Sequence, residues 1–327
     1  MNPFFSIGVT SYKRYDLLKE CLTSILLQTF PDYEVLVGND YPEQEISAAF
    51  LGIDDPRIRY VNHAQNLGPI HNANALLAMS KGRFFTWLAD DDMHLPEFLG
   101  IVHSSLTANH FPSCVFTSYL HGETYSGGPT VPSDRGVLYK GSDFLKQYLS
   151  RTLRTVGCYG LFDIGYLRGI GGMEHLGHGY FSPYSDNLLA IRAGLLDTVV
   201  YHHVPLVFFR THETSVSYTS PNIDIYASAQ ADLLSKSLGI FRSNPLRNNM
   251  PDYLFLLLDW CVKDFDSVIR RAGSVSTAQL RSYFHMMQYY IAHLAGSPLS
   301  RRAWASFAKI ALLLVRDMGL RRIRLHA

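Results

Sequence analysis

Residues 84–92 read FFTWLADDD, an apolar run that ends in three consecutive aspartates, Asp90, Asp91 and Asp92. The apolar run predicts a buried β-strand, and Pro96 shortly after it indicates a turn. Three like charges at a strand end repel one another and therefore need a counter-charge. Carboxylate oxygens suit a hard cation such as Mg²⁺ or Mn²⁺, so the stretch predicts a metal site. The alternative is a solvated acidic turn.

On both sides of this stretch, the patterns of strands and helices alternate. Strands are predicted at Phe4–Val9, Tyr33–Val37, Arg57–Val61 and Phe84–Ala89, and helices at Tyr15–Gln28 and Pro69–Ser80. Strands that alternate with helices form a largely parallel sheet with helices on its faces. The sequence therefore predicts a Rossmann-like α/β fold with a mostly parallel sheet and flanking helices.

The pattern becomes entirely helical after Ser220-Pro221. Before that point we expect a Gly- and Pro-rich loop at 120–140, a helix at Ser185–Gly194, and strands at Thr198–Tyr201 and Leu206–Arg210. Beyond it we expect helices at Ile223–Leu238, Tyr253–Arg270, Thr277–Leu294 and Leu299–Val315. Two domains are predicted, residues 1–220 and a helical C-terminal domain of residues 221–327.

Composition narrows the class of protein. The formal net charge of the 327 residues is +1, which argues against a strongly basic nucleic-acid binder. The four cysteines are widely spaced and form no CxxC pair, so neither a zinc site nor a disulfide framework is expected. The sequence shows no signal peptide and no apolar stretch near the ~18 residues that span a membrane, so we expect a cytoplasmic protein.

The C-terminal tail, residues 301–327, is basic, with seven Lys and Arg residues against one acid, Asp317. Apolar residues recur in it at helical spacing, namely Trp304, Phe307, Ile310, Leu314 and Met318. This pattern favours an amphipathic helix that makes peripheral contact with an anionic membrane surface. The alternatives are packing on its own domain or on another subunit of a homo-oligomer.

Polar residues stand at the carboxyl ends of three predicted strands. Thr10 follows the first, Asp40 follows the second, and Asp90 follows the fourth. Ligands of parallel sheets bind at this edge, so we expect these side chains to face one crevice. Thr10 could hydrogen-bond to a nucleobase, and Asp40 could accept N–H groups of uracil or guanine. Each residue alone also fits an ordinary turn or a helix cap.

Two neighbouring residues extend this crevice. Tyr12 could stack on a base, and Asn66, in the loop before the helix at Pro69–Ser80, could present a polar group to a nucleotide. The alternative for Tyr12 is a half-buried tyrosine, and the alternative for Asn66 is an ordinary turn.

Two residues further along could take part in chemistry. Asp186 opens the predicted helix at Ser185–Gly194, where it could complement the helix dipole or act as a general base toward a hydroxyl. His212 follows the last predicted strand, where it could be structural or a metal ligand.

These elements, in this order, resemble the inverting glycosyltransferase family 2, which has a GT-A fold. The resemblance covers about residues 4–217, and its matching stretches are Phe5–Gln28, Tyr33–Asp40, Asn66–Pro96, Gly171–Gly194 and Pro205–Ser217. Each motif is weak alone, and the five together in the right order are a strong signal.

The resemblance implies a role for each candidate on the donor side. It assigns Thr10, Tyr12 and Asp40 to the base of a nucleotide-sugar, and it places Asp90 near the ribose. The nucleotide implied is most simply that of a UDP-sugar.

The resemblance also implies roles in the reaction itself. Asp91, helped by Asp92, corresponds to the metal-binding aspartate of the DxD motif, and His212 to a histidine near the metal or diphosphate. Asp186 corresponds to the catalytic base. The implied cofactor is Mn²⁺ or Mg²⁺.

The chain departs from the family pattern at three positions. Ala89 stands where many members have the first acid of DxD, Ser185 replaces a glutamate before the base, and Ala73 replaces an arginine. The change at Ala89 puts a contact to the ribose in doubt. The change at Ser185 puts a contact to the acceptor or donor in doubt, and the change at Ala73 a contact to a phosphate or the base.

We therefore expect an inverting, metal-dependent glycosyltransferase that acts on a glycan or lipid-linked glycan acceptor. One alternative is an inactive relative that binds sugar nucleotides or glycans. The other is a sugar nucleotidyltransferase, which is disfavoured because residues 10–15 lack the glycines of a triphosphate-binding loop.

Overall fold

The computed structural model describes residues 2–125, 127, 136–212, 215 and 222–308. The chain forms two compact units, one of Met1–His175 and Tyr180–Glu213, the other of Leu176–Gly179 and Thr214–Ala327. The domain boundary predicted at residue 220 remains a prediction, because residues 216–221 lie outside the described part. Residues 126 and 128–135 of the predicted loop at 120–140 and the tail from residue 309 onward also lie outside it.

A nine-stranded mixed sheet forms the centre of the first unit, as far as the chain is described. Its strands are β1 (Phe5–Ser11), β2 (Tyr33–Asn39), β3 (Ile58–Asn62), β4 (Phe84–Ala89), β5 (Met93–His94), β6 (Cys114–Gly122), β7 (Val137–Tyr139), β8 (Leu161–Asp163) and β9 (Val199–Arg210). They lie in the order β3-β2-β1-β4-β8-β6-β9-β5, and β7 pairs with β9. This arrangement confirms the predicted α/β class.

Strands β1 to β4 make up the parallel half of the sheet, with β1 between β2 and β4. The strands β1, β2 and β4 are buried almost throughout, as strands covered on both faces are. The register sets Thr10 opposite Gly38 on β2 and opposite Ala89 on β4. Thr10 and Ser11 are therefore the last residues of β1, which corrects the strand end predicted at Val9.

The other half of the sheet contains the antiparallel pairs β4–β8, β6–β8, β5–β9 and β7–β9, besides the parallel pair β6–β9. Strand β9 runs unbroken over Val199–Arg210, so the prediction of two separate strands was wrong. Pro205 lies opposite Ser118, where the β6–β9 register shifts. Proline is tolerated at such an irregularity because no ladder N–H is needed there.

Helices cover both faces of this sheet. They are α1 (Tyr15–Leu26), α2 (Ala48–Leu51), α3 (Pro69–Met79), α4 (Phe98–Ala108), α5 (Gly141–Leu149), α6 (Ile164–Gly169) and α7 (Ser185–Ala193). Apolar residues of α1 and α4 join one buried core, and those of α3, α5 and α7 join another. The predictions include α1, α3 and α7 but omit the helices α2, α4, α5 and α6 and the strands β5, β6, β7 and β8, of which β6 and β7 extend into the predicted loop at 120–140.

The second unit is helical, which confirms the predicted C-terminal helical region. Its helices are α8 (Ile223–Phe241), α9 (Met250–Ala272) and α10 (Thr277–Ala292), and residues 299–308 are also helical. Phe307 is only 2% exposed and its ring lies 4.8 Å from that of Phe284, whereas Trp304 is 40% exposed. The described start of the basic tail thus packs on its own unit. None of the described helices is long and apolar enough to cross a membrane.

Candidate active site

The three aspartates lie in a turn directly after β4, at the edge of the sheet where β1 and β2 also end. The backbone N–H of Asp92 donates to the carbonyl of Ala89 (3.1 Å) and closes the turn. Asp90, Asp91 and Asp92 are 0%, 9% and 2% exposed, respectively. Of the three, Asp91 is therefore the carboxylate that a ligand reaches most directly.

Asp90 is bound by the loop that follows β1. Its Oδ2 accepts a hydrogen bond from the backbone N–H of Tyr12 (3.2 Å), and its Oδ1 accepts one from Arg14 Nη2. The second nitrogen of the same guanidinium, Arg14 Nη1, donates to Asp91 Oδ2 (2.5 Å). Burial raises the pKa of Asp90 to about 6, although Arg14 opposes this rise. One cation thus compensates the charge on two aspartates.

Asp91 also contacts the segment at the end of β9. His212 Nε2 lies 2.9 Å from Asp91 Oδ2, the same oxygen that Arg14 binds. Arg210 Nε donates to the backbone carbonyl of Asp91 (2.9 Å), and Arg210 Nη2 pairs with Glu20 (2.5 Å). The structure therefore brings Asp91 and His212 together, as the predicted metal site requires.

Asp92 accepts a hydrogen bond on each of its carboxylate oxygens. Its Oδ1 accepts a hydrogen bond from the backbone N–H of Arg210 (2.7 Å), and its Oδ2 accepts one from the Tyr159 hydroxyl. Burial and the nearby charge of Asp91 raise the pKa of Asp92, whereas these two donors lower it. Asp92 thus links the aspartate turn to the end of β9 by its hydrogen bond with Arg210.

Asp40 organises the loop that contains Asn66. Its Oδ1 accepts from the backbone N–H of Leu67 (2.6 Å) and its Oδ2 from that of Gly68 (2.9 Å). Asn66 Oδ1 also accepts from Gly68 (2.9 Å) and from the hydroxyl of Tyr180 (3.0 Å). Each carboxylate oxygen keeps a second lone pair for a ligand. Asp40 and Asn66 thus form one group beside the end of β2.

Aromatic side chains border this edge of the sheet. The rings of Tyr12 and Tyr41 meet edge to face with their centroids 5.6 Å apart, and Lys13 Nζ lies 4.1 Å from the Tyr41 centroid. Tyr12 and Tyr180 are both largely exposed. Exposed rings of this kind are suited to stacking against a planar base.

Asp186 lies in the first turn of α7, whose N-cap residue Tyr184 adopts φ 71°. Burial raises the pKa of the Asp186 carboxyl, and the backbone N–H groups of Asn187 and Gly157 oppose this rise. In the described part of the chain, Asp186 has no ion pair with a cationic side chain. Its surface remains partly open to solvent. A carboxyl of this kind is suited to accept a proton.

A short 3-10 turn, Gly157–Tyr159, lies beside both carboxylate groups. The backbone N–H of Gly157 donates a hydrogen bond to the Asp186 carboxyl, while the hydroxyl of Tyr159 donates one to Asp92. A Cβ atom on Gly157 would lie only 1.8 Å from the carbonyl oxygen of Asp186, so glycine is required for this close approach. The turn therefore sets the position of α7 against the aspartate turn.

Comparison with known proteins identifies the domain that carries these groups. The sequence model of the family described as "Glycosyl transferase family 2" matches residues 6–156. This part of the chain is a glycosyltransferase family 2 domain.

Two bacterial relatives of this family 2 domain are similar over part of the chain. One is WcaA of Escherichia coli (strain K12), whose name assigns it to colanic acid biosynthesis as a glycosyl transferase; it is 25% identical over 172 residues, 50% of this chain and 61% of WcaA. The other is the GalNAc(5)-diNAcBac-PP-undecaprenol beta-1,3-glucosyltransferase of Campylobacter jejuni, 34% identical over 93 residues, 28% of this chain and 30% of that protein. The chain thus spans less than two thirds of either relative.

Solved structures share the GT-A fold of the family 2 domain. The S. aureus TarS 1–349 structure in complex with UDP-GlcNAc has a TM-score of 0.65 at 16% identity and covers 94% of this chain and 88% of that one. The mannosyltransferase PcManGT from Pyrobaculum calidifontis, in complex with GDP-Man and Mn²⁺, has a TM-score of 0.53 at 15% identity, with 96% and 87% covered. At these identities the similarity establishes the fold.

The structure shows the surroundings of two positions at which the chain departs from the family pattern, Ala73 and Ser185. Ala73 is buried in the core, where its carbonyl accepts from Trp87 Nε1 (2.9 Å), so this position faces away from solvent. Ser185, in place of the family glutamate, is buried and bonds to Ser182 (2.8 Å between the hydroxyl oxygens). Neither residue therefore replaces the polar contact that its family counterpart would make.

The donor set beside the aspartate turn fits a divalent cation with few protein ligands. Asp91 and His212 supply a carboxylate and an imidazole on one side, and Arg14 shows that the site accepts positive charge. Mg²⁺ commonly binds through one or two carboxylates together with substrate phosphates and water. The described residues contain no group of three or more His, Cys, Asp or Glu side chains that could hold a metal ion. Both oxygens of Asp92, the third predicted ligand, accept hydrogen bonds.

Sequence reasoning missed four residues that organise the site, namely Arg14, Gly157, Tyr159 and Arg210. For Arg14 a signal existed, since a cation that closely follows β1 can reach the end of β4 if the two strands pair. No local pattern marks Gly157 or Tyr159, because their partners lie 29 residues later and 67 residues earlier in the chain.

Proposed function

We propose that the protein is an inverting, metal-dependent glycosyltransferase that moves a sugar from a nucleotide-sugar to a hydroxyl of a glycan acceptor. The observation that carries the proposal is the environment of Asp186. This carboxyl is partly buried, has no ion pair with a cationic side chain among the described residues, and lies beside the same 3-10 turn as the aspartate triplet. A base is thus close to a group of residues that can hold a diphosphate.

The donor would bind at the edge formed by the ends of β1, β2 and β4. Tyr12 would stack on the base, while Thr10, Asp40 and Asn66 would offer polar groups to it, and Asp90 would lie on the ribose side. The solved relatives were captured with UDP, UDP-GlcNAc and GDP-Man, which supports a nucleotide-sugar as the class of donor. We favour a UDP-sugar because TarS, in complex with UDP-GlcNAc, has a higher TM-score to this chain than the GDP-Man complex, 0.65 against 0.53. Asp40 could accept the N–H groups of the base.

Asp91 and His212 would hold Mn²⁺ or Mg²⁺, with Asp92 in support through the fold of the turn. When bound, such a cation stabilises the charge that develops on a departing diphosphate. Arg210 fixes the backbone of Asp91 and the carboxylate of Asp92, so it orients this side of the site.

Asp186 would remove the proton from the acceptor hydroxyl as its oxygen attacks the anomeric carbon opposite the leaving nucleotide. The raised pKa of this carboxyl makes its ionised form a stronger base than an ordinary aspartate. The N–H groups of Asn187 and Gly157 would keep the carboxylate in place during the transfer.

The relatives indicate a class of acceptor. WcaA carries a name from colanic acid biosynthesis, and the Campylobacter jejuni enzyme is named for an undecaprenol-linked glycan. We therefore propose a growing surface polysaccharide or a lipid-linked oligosaccharide, which would place the enzyme in the cytoplasm or at the inner face of the membrane.

The test measures the release of nucleoside diphosphate when the protein is incubated with UDP-sugars or with GDP-mannose. Each donor is tested with Mn²⁺ and with EDTA. Each of these conditions is run with and without a lipid-linked oligosaccharide extract as acceptor. We expect release that requires Mn²⁺ and rises with acceptor. Donor binding without release under any condition would support the non-catalytic binding protein. Pyrophosphate release from a nucleoside triphosphate and a sugar phosphate would support the nucleotidyltransferase.

A further inference from the structure

Arg14 is the side chain that neutralises the accessible part of the aspartate triplet. It stands at the N-cap of α1, directly after β1, and its guanidinium places one nitrogen on Asp90 and the other on Asp91. The side chain remains 28% exposed, so it forms the outer surface of this charge cluster. A planar fork with two donor edges suits such a bridge, whereas lysine offers a single point charge.

Arg14 and His212 bind the same oxygen of Asp91. His212 Nε2 lies 2.9 Å from Asp91 Oδ2, and Arg14 Nη1 lies 2.5 Å from that atom. A divalent cation shared by Asp91 and His212 would therefore lie next to the guanidinium, where like charges repel. Metal and Arg14 therefore compete for Asp91 Oδ2.

Rearrangement of the two other aspartates would not relieve this competition. Asp92 has both carboxylate oxygens bound, and Asp90 is completely buried. The backbone of Arg14 is also fixed, because its carbonyl accepts the N–H of Leu18 (2.9 Å) in α1. The movable component is the long Arg14 side chain, and the strongest alternative partner for a guanidinium fork is a phosphate group.

We propose that Arg14 is an internal cation that occupies Asp91 in the absence of donor and transfers to the diphosphate of the donor when the nucleotide binds. Release of Arg14 opens Asp91 and His212 to the metal, so metal and nucleoside diphosphate bind cooperatively. The identity of the diphosphate rests on the function proposed above. The competition between Arg14 and a divalent cation rests on the geometry alone.

The test is titration of Mn²⁺ into the full chain, with free Mn²⁺ measured by electron paramagnetic resonance. We compare wild type with Arg14→Gln, Arg14→Met and the matched control Arg57→Gln. Arg57 makes a similar two-point ion pair with Asp55 (2.9 and 2.8 Å) away from the triplet. Without nucleotide, both Arg14 variants should bind Mn²⁺ at least tenfold more tightly than wild type, and Arg57→Gln should match wild type. Equal or weaker binding by both Arg14 variants would refute the competition.

A second measurement needs only the wild-type protein. After correction for Mn²⁺ held by UDP in buffer, a saturating amount of UDP should raise the affinity of the protein for Mn²⁺ at least tenfold. By reciprocity Mn²⁺ should raise UDP affinity by the same factor. Independent binding of the two would refute the transfer of Arg14. Sugar transfer is not measured here, so an active enzyme can fail this test and an inactive one can pass it.

Discussion

The two carboxylate groups of the site, the Asp90–Asp92 turn and Asp186, differ in the groups that compensate their charge. The turn is surrounded by side chains that contact its carboxylates or its backbone, namely the guanidinium groups of Arg14 and Arg210, the hydroxyl of Tyr159 and the imidazole of His212. Asp186 has backbone N–H groups at a helix start and no cationic partner among the described residues.

This difference separates two chemical tasks. At the turn, burial raises the pKa values of Asp90 and Asp92 and the nearby Arg14 opposes that rise. Its guanidinium is a positive partner that another cation can replace, as a metal or diphosphate site requires. At Asp186, burial raises the pKa and only backbone N–H groups oppose the rise, so the ionised carboxylate is a stronger base, as a general base requires. The contrast predicts that damage at Asp186 affects the reaction and leaves donor binding unchanged.

The largest expected effect is that of Asp186→Asn. The amide keeps the shape of the side chain but cannot take a proton, so turnover should fall by roughly 10²–10⁴-fold. Donor affinity, measured by calorimetry with UDP, should stay within about twofold of wild type. Asp143→Asn, an exposed acid in the first turn of α5, is the matched control and should leave turnover unchanged. Wild-type turnover by Asp186→Asn would remove the base assignment.

A smaller effect is expected for Gly157→Ala. The new methyl group would meet the Asp186 carbonyl at 1.8 Å and must displace the start of α7. A shift of this kind should lower turnover about ten- to a hundredfold, as a misplaced catalytic group does.

Gly239→Ala is the matched control for Gly157→Ala. A Cβ atom at Gly239, within α8, meets no neighbour within 4 Å. Turnover should therefore stay unchanged, and the free energy of unfolding should rise by about 0.5–1 kcal/mol, because alanine favours a helix. Steady-state kinetics and thermal melts of both variants check these outcomes. Equal turnover in the two variants would show that Gly157 does not position Asp186.

The smallest expected effect concerns the pH dependence of kcat/KM, whose decrease on the acid side should occur at a higher pH than for an ordinary aspartate base. Since burial raises the pKa of Asp186 above the ordinary value of 3.8, the base form is lost as pH falls through that higher pKa. Activity should therefore begin to fall at a higher pH than an ordinary aspartate would give. The residual activity of Asp186→Asn should lack this decrease, and a wild-type midpoint at or below 3.8 would contradict the assigned environment.

Local sequence patterns predicted the parallel half of the fold well. Strand β4 has the predicted ends, and α3 starts at Pro69 as expected, because apolar runs and helix-start signals are local properties. The pattern failed at β9, since Pro205 reads as a break in a strand and only the pairing with β6 shows that the strand continues. Asp91 and His212 were both candidate residues, and their contact depends on that same strand.

The sequence by itself determined the class of the protein: an α/β sheet with acids at its carboxyl edge, an acid at a later helix start, and a helical C-terminal region. These features follow from residue types and short spacings. Tertiary structure alone decided which charges neutralise which. Arg14 reaches Asp90 and Asp91 across 76 and 77 residues because β1 pairs with β4. Such pairing depends on which strands become neighbours, and no local stretch of sequence encodes that.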